Sequence, residues 1–295
     1  MMDWTDQYCR YFHRILSPHI WLYTEMITDQ AITHGDPERL LSFDDSMEHP
    51  IALQLGGSNP EILSKATQIS TEFNYDEFNL NIGCPSDRVQ SGMFGLCLMK
   101  DPPRVIDCLN AIAESSKNIP VTVKTRTGVD DLDSYENLQN FIDQIKTQTP
   151  CREFIIHARK GWLSGLSPKE NREIPPLDYL RVYQLKQDFP DCSIQINGGI
   201  TQISQIDDHL KHTDGVMIGR AAYHNPYLLT QIEKSYFDPD FSMSREDILQ
   251  KLKPWVLEQT SQKNRTLHSI TRHMLGLYYG QPNAKDFKKT INQWF

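Results

Sequence analysis

Residues 78–82 read Phe-Asn-Leu-Asn-Ile and run directly into Gly83, Cys84, Pro85 and Ser86. Apolar and amide side chains alternate there, the period of a β-strand with two unlike faces. Gly83 and Pro85 end such a strand, so Cys84 is expected just past its carboxyl end. In barrels and open α/β sheets, that is where chemistry is done. A lone cysteine is also at home in a core. Asn79 and Asn81 weigh against that reading, because amides are costly in a strand interior unless they have hydrogen bonds to make.

Other strand-like runs end on polar or glycine residues too: Gln54, Lys124, His157, Asn197-Gly198-Gly199 and Gly219-Arg220. Lys124 allows a Schiff base, neutralisation of negative charge on a reduced cofactor, or a plain strand-end lysine. His157 allows donation to a cofactor carbonyl, base chemistry, or a satisfied core histidine. The two glycine loops follow the last two strands, where barrels bind phosphate through closely approaching backbone N–H groups, and Arg220 adds charge. No Gly-x-Gly-x-x-Gly fingerprint or phosphate-loop signature occurs, so no dedicated dinucleotide or triphosphate domain is expected.

These residues require a scaffold of alternating elements. Strands are predicted at 20–26, 51–55, 78–82, 121–124, 154–157, 194–197 and 215–218. Helices are predicted at 5–16, 60–73, 102–115, 134–146, 177–187 and 204–210. Alternation of this kind means parallel βαβ units. Polar residues end nearly every strand, rather than clustering at one switch point, which favours a TIM (β/α)8 barrel over a doubly wound sheet. Seven strands are visible, so the first strand of the barrel is expected upstream of Met1. After Pro239 strands cease. Two helices, 244–260 and 266–279, follow, and Ser244 with Asp247 resembles a capping box. The division is therefore a barrel over 1–240 and a small helical domain over 241–295.

A 295-residue chain with 39% hydrophobic residues can bury a core of that size. No apolar run approaches the roughly 18 residues of a membrane span, and no signal peptide is evident. Of the six cysteines, no two lie within four residues of each other; neither zinc nor iron–sulfur spacing exists and no metal is expected. Reduced thiols suit the cytoplasm. The net charge of −8 is unevenly spread: residues 241–295 carry nine Lys/Arg against four Asp/Glu, a net of +5, and the remainder carries −13. Arg245, Lys251, Lys253, Lys263, Arg265 and Arg272 recur along the two late helices. A basic tail on an acidic body suggests a polyanionic partner, or else a solvated basic helix face.

The stretch Asn79-Leu80-Asn81-Ile82-Gly83-Cys84-Pro85-Ser86-Asp87-Arg88-Val89-Gln90 resembles the signature of the tRNA-dihydrouridine synthases, A subfamily. Supporting stretches span the chain: 1–6, 22–27, 54–57, 123–128, 156–160, 165–172, 197–200, 219–220 and 270–276. The Cys84 motif and residues 167–176 are highly specific; the glycine pairs are not. The resemblance implies an FMN-containing barrel with a C-terminal helical domain that grips tRNA. It further implies NADPH-driven reduction of a D-loop uridine at position 20 or 20a, with hydride passing from flavin N5 to C6 and a proton reaching C5 from Cys84. By the same resemblance Gln54, Lys124 and His157 contact the flavin ring and ribityl chain, with Met1 and Met2 at the strand end that also touches it. Asn197, Gly198, Gly199, Gly219 and Arg220 hold its phosphate. Asn81 touches the target base, and Arg159, Lys169, Arg172 and Arg272 face the tRNA.

The residue types suit that chemistry. An ordinary thiol is mostly protonated at neutral pH and can donate. A lysine can stabilise an anionic reduced flavin. A uridine inside folded tRNA must swing out to reach a pocket, so the protein must also grip the body of the RNA. Two departures stand out: the family's first strand and its Ala-Pro are absent ahead of Met1, and the helical part stops at Phe295, short of the usual family length. The chain is expected to act as a monomer. Three other readings remain: an FMN barrel acting on a free pyrimidine, of the dihydroorotate-oxidising type; an aldolase barrel using Lys124; and a non-catalytic tRNA-binding protein.

Overall fold

In a computed structural model, the structure describes residues 1–86, 89, 92–261 and 265–295. Asp87, Arg88 and Gln90 of the cysteine motif, and Lys263 of the basic tail, lie outside these residues. Seven strands form one parallel sheet in chain order: β1 (Leu22–Thr28), β2 (Ile51–Gly56), β3 (Glu77–Asn81), β4 (Val121–Arg126), β5 (Glu153–His157), β6 (Ser193–Asn197) and β7 (Gly215–Met217). The sheet curls into a barrel wall with helices outside it, as expected. Its edges are β1 and β7. Between them lies Met1, its sulfur against Gly219 and its amine beside Glu25 of β1.

Each connecting helix begins where its sequence supplies a cap. Helix α1 (Gln7–Leu16) starts on Asp6, whose carboxylate accepts from the N–H groups of Tyr8 and Cys9. α2 (Asp29–His34) and α3 (Pro37–Leu41) are capped by Thr28 and Asp36. α4 (Pro60–Ser70) and α5 (Pro102–Ser115) each place a proline first, behind Asn59 and Asp101. Ser134 caps α6 (Tyr135–Gln148) and Asp178 caps α7 (Tyr179–Asp188). α8 (Ile203–Leu210), α9 (Arg220–His224) and α10 (Leu228–Tyr236) complete the ring. The sequence patterns missed α2, α3, α9 and α10, which are short or lie in connections without a clean apolar period.

Strand alternation divides apolar from polar. Leu53, Leu55, Phe78, Leu80, Val123 and Ile156 are fully buried in the hydrophobic core. Alternate positions, Gln54, Glu77, Asn79, Asn81, Thr122 and Lys124, share the opposite face and fill the barrel with hydrogen-bonding groups.

The late helices are α11 (Arg245–Ser261), α12 (Leu267–Thr271) and α13 (Ala284–Thr290). Ser244 and Asp247 make the expected reciprocal cap: each backbone N–H reaches the other's side chain at 3.0 Å. The helix predicted over 266–279 is instead broken after Thr271. Gly276 explains why: a Cβ there would stand 2.5 Å from the carbonyl oxygen of His224, so the chain turns to press its backbone against α9. Trp255 of α11 stacks on Tyr11 of α1 with centroids 4.0 Å apart. No helix among the described residues is long and apolar enough to cross a membrane.

Arg14 ties the end of α1 to the first two strands. Its guanidinium donates to the carbonyls of Ser17, Pro18, Ile20, Glu48 and Pro50, at distances from 2.7 to 3.2 Å, with no carboxylate in contact. Charge-assisted bonds of this kind contribute strongly when buried. Replacing Arg14 with methionine is expected to cost about 3 kcal/mol by stranding those carbonyls. Thermal and urea unfolding of the two proteins would check this; equal stability would show the carbonyls are satisfied without it.

Candidate active site

Strand register builds the floor of the site. Gln54 of β2 lies opposite Asn79 of β3, and Asn81 lies opposite Lys124 of β4. Asn81 Nδ2 donates to Gln54 Oε1 at 2.8 Å. Its Oδ1 turns the other way and accepts the N–H groups of Gly83 at 3.1 Å and Cys84 at 3.0 Å. The cysteine loop is thus folded back on the strand that leads into it. Cys84 is half-buried, with Sγ 3.5 Å from Ser86 Oγ. Its carbonyl accepts from Leu96 at 3.0 Å. That close return requires Gly95, at φ +70°, where a Cβ would lie 2.7 Å from the Cys84 oxygen.

Arg126 locks the loop from the other side. It follows Lys124 by two residues and so shares its face of β4. Its guanidinium donates to the carbonyls of Gly83 at 2.8 Å, Lys160 at 3.0 Å and Asn171 at 2.9 Å. The side chain of Asn171, fully buried, in turn folds the 162–171 loop through the backbone of Trp162 and Leu166. Neither residue was assigned a role from sequence. The i, i+2 relation of Lys124 and Arg126 was the available signal.

The mouth is crowded with positive charge. Burial pushes the Lys124 ammonium down to about 8, with Arg126 adding to the shift and Cys84 opposing it. Lys124 makes no hydrogen bond and no ion pair among the described residues. Burial, followed by Arg126, Lys124, Arg159 and Arg220, holds His157 well below the usual histidine range, so its imidazole is neutral. Arg159 reaches the carbonyls of Glu173 and Pro175, but its Nε is buried without a partner. The exposed Arg172 side chain has none among the described residues either. Arg220 is held by Glu173 at 2.9 Å.

Beside this cluster Gly198 and Gly199 take φ of +123° and +71°. A Cβ on Gly198 would stand 2.7 Å from the His157 ring, and one on Gly199 2.6 Å from Leu177. Only glycine keeps the backbone this close to the histidine. Tyr179, unanticipated from sequence, bonds the Gly198 carbonyl at 2.7 Å. Asn197 bonds the Met217 carbonyl at 2.8 Å, joining β6 to β7.

Cys84, Asn81, Gln54, Lys124, His157, Gly198, Gly199 and Arg159 therefore belong to one mouth, with Gly219, Arg220, Arg172 and Met1 around it. Lys169 is exposed on the adjoining loop. Met2 is 55% exposed. Arg272, expected to face RNA, instead donates to Asp6 at 2.7 Å and to the Asp3 carbonyl at 2.8 Å. It fastens the late helices to the cap of α1. Buried or unpaired cations next to closely approachable backbone suit an anionic ligand, and a flavin nucleotide, with its phosphate and its ionisable reduced ring, has that chemistry.

The chain is 52% identical over 294 residues to the tRNA-dihydrouridine(20/20a) synthase of Vibrio parahaemolyticus, covering 99% of this chain and 89% of the relative. It is 53% identical over 293 residues to the protein of that name from Synechocystis, covering 99% and 86%. For the Escherichia coli protein of that name the identity is 51% over 294 residues, covering 99% and 88%. The family model described as dihydrouridine synthase matches residues 1–295, and the chain belongs to that family of enzymes.

Proposed function

We propose that this chain reduces a D-loop uridine of tRNA, at position 20/20a, to 5,6-dihydrouridine, with FMN as resident cofactor and NADPH as electron donor. One observation carries the reading: a thiol on a locked loop stands near a half-buried lysine that has no hydrogen-bond or ion-pair partner among the described residues. Bound FMN, reduced by NADPH, supplies the hydride for C6 of the uracil. Everything else is done by this chain's own residues. Lys124, Gln54 and His157 hold the ring and ribityl chain; Asn197–Gly199, Gly219 and Arg220 hold the phosphate, once Arg220 exchanges Glu173 for it.

Cys84 delivers the proton to C5 of the base. Asn81 can help only as a donor: its oxygen already accepts two N–H groups, and one of its own N–H groups is spent on Gln54. The remaining N–H can meet a uracil carbonyl. A Schiff base on Lys124 would also profit from its lowered pKa, but would leave this Cys84–Asn81 geometry without a task. A free-pyrimidine enzyme would have no use for the basic tail.

Residues 1–240 act as the catalytic part and 241–295 as an RNA grip, in a monomer working in the cytoplasm. Lys251, Arg265, Lys285, Lys288 and Lys289 are exposed on the late segments, and together with Arg159, Lys169 and Arg172 near the mouth they can follow phosphates. Arg272 serves this surface through its clasp on Asp6. Because α11 is stacked on α1, neutralising charges tests the grip better than deleting the helices.

The decisive test is Cys84→Ala. The protein should stay yellow and consume NADPH on first reduction, yet lose dihydrouridine formation on unmodified tRNA by on the order of 10² to 10⁴-fold. Full activity would remove Cys84 from the mechanism. Lys124 gives a pH test. Its cation is present below about 8 and is lost as pH rises through that value. FMN retention should therefore weaken above about 8, and Lys124→Met should retain less FMN with no such dependence. A pH-dependent loss that persists in Lys124→Met would assign it to another group. Finally, replacing Arg265, Lys288 and Lys289 with glutamine should weaken tRNA binding and flatten its salt dependence, by roughly one unit of slope or less per lost phosphate contact. The flavin should be untouched. A salt slope equal to the wild type would make the tail a solvated face.

A further inference from the structure

The amides beneath the cysteine loop do more than fill the barrel. Their orientations follow from one end of the series. The backbone N–H groups of Gly83 and Cys84 can only donate, so the atom of Asn81 they meet must be its oxygen. The other end of that amide, 2.8 Å from Gln54, is then nitrogen and needs an acceptor. Gln54 must turn its oxygen to it, which sends the Gln54 nitrogen to Asn79 at 2.9 Å. Asn79 must answer with oxygen, so its nitrogen points at Thr122 Oγ1, 2.7 Å away. The hydroxyl accepts that bond, and its single proton passes to Glu77 Oε1. Tyr23 donates to the same oxygen at 3.1 Å.

Each donor thus has one acceptor and every bond runs the same way: β3, β2, β3, β4, β3. Glu77, Asn79 and Asn81 stand at i, i+2, i+4 on a single face of β3. Gln54, Asn79 and Thr122 form one rung across three strands. All five side chains are buried, where reversing any one member leaves two unmatched groups at a cost. Thr122 is the only hydroxyl in the series. It accepts from the Asn79 amide and donates its single proton to the Glu77 carboxylate. Glu77 can keep its role through a change of charge: burial, reinforced by Glu153, lifts it to about 7, and a proton taken on Oε2 leaves Oε1 accepting.

We infer that Thr122 is a positioning residue for Cys84: it terminates a one-way chain of hydrogen bonds, anchored on Glu77, that orients the Asn81 amide and through it the cysteine loop. The inference rests on the proposed role of Cys84 as proton donor. Thr122 touches neither the loop nor the mouth. Its effect is transmitted, and therefore separable from binding.

The experiment compares wild type, Thr122→Val, Thr122→Ser and Cys84→Ala, all as purified flavoproteins. Valine keeps the shape and removes both bonds; serine keeps both. Two quantities are measured: the rate at which iodoacetamide labels Cys84, read on its own peptide, and the kcat and KM for tRNA. Cys97 is the other half-buried thiol and serves as an internal reference. Thr122→Val should label Cys84 several-fold faster and lower kcat by about tenfold, the scale of one lost buried hydrogen bond. The KM for tRNA and the Cys97 rate should hold, and Thr122→Ser should restore both altered values. If Thr122→Val does not fold, Thr122→Cys replaces it, with weak donor and acceptor strength and a smaller displacement of the same sign. Wild-type labelling and kcat in Thr122→Val, or in Thr122→Cys, overturn the relay. A Thr122→Ser as defective as the valine variant also overturns it, since shape would then be the cause. Full activity in Cys84→Ala overturns the donor reading instead, and the labelling rates still decide the relay.

Discussion

Cys84 can present its thiol because Asn81, three residues earlier, turns an amide oxygen back onto the loop. That single turn depends on a strand whose inward positions are polar throughout. A parallel ladder places equivalent residues side by side, so one polar row on β3 meets Gln54 on one flank and Thr122 and Lys124 on the other. The apolar residues between them face outward and are claimed by the helices. The same alternation that makes the barrel stable therefore delivers a polar interior to the strand ends.

Register makes this arrangement unforgiving. A slip of one residue would exchange faces, putting Asn79 against the helices and Leu80 into the barrel. Fully buried Phe78 and Leu80 hold β3 against that slip. Core packing and site geometry are for that reason one constraint, read from two sides of the strand.

This explains what was legible beforehand. Apolar runs placed all seven strands to within two residues, because most are bounded by glycine, proline or a capping residue. Strand ends then pointed to Gln54, Asn81, Lys124 and His157 by position alone. What escaped was whatever depends on partners distant in sequence. Arg126 looks like any strand arginine until Gly83, Lys160 and Asn171 are brought to it. Arg272 looked free because the residue that neutralises it, Asp6, is 266 positions away. The break after Thr271 has the same origin: Gly276 yields to a carbonyl on α9 rather than to any local signal. Charge counting found the basic tail but could not say which of its cations were already engaged.

Engagement is what separates the two kinds of cation here. Arg10 is paired with Glu48 at 2.7 Å, Arg14 with five carbonyls, Arg272 with Asp6. These arginines are part of the frame, and their partners repay the cost of burial. At the mouth the accounts differ. Among the described residues half-buried Lys124 makes no hydrogen bond or ion pair, and the exposed Arg172 side chain has no partner. Cations left unpaired beside closely approachable backbone are free to take an anionic ligand. On an acidic chain of −8 carboxylates are plentiful, yet none among the described residues pairs with Lys124. A shortage of negative charge at the barrel mouth suits an anionic ligand, the class to which a flavin nucleotide and an RNA both belong.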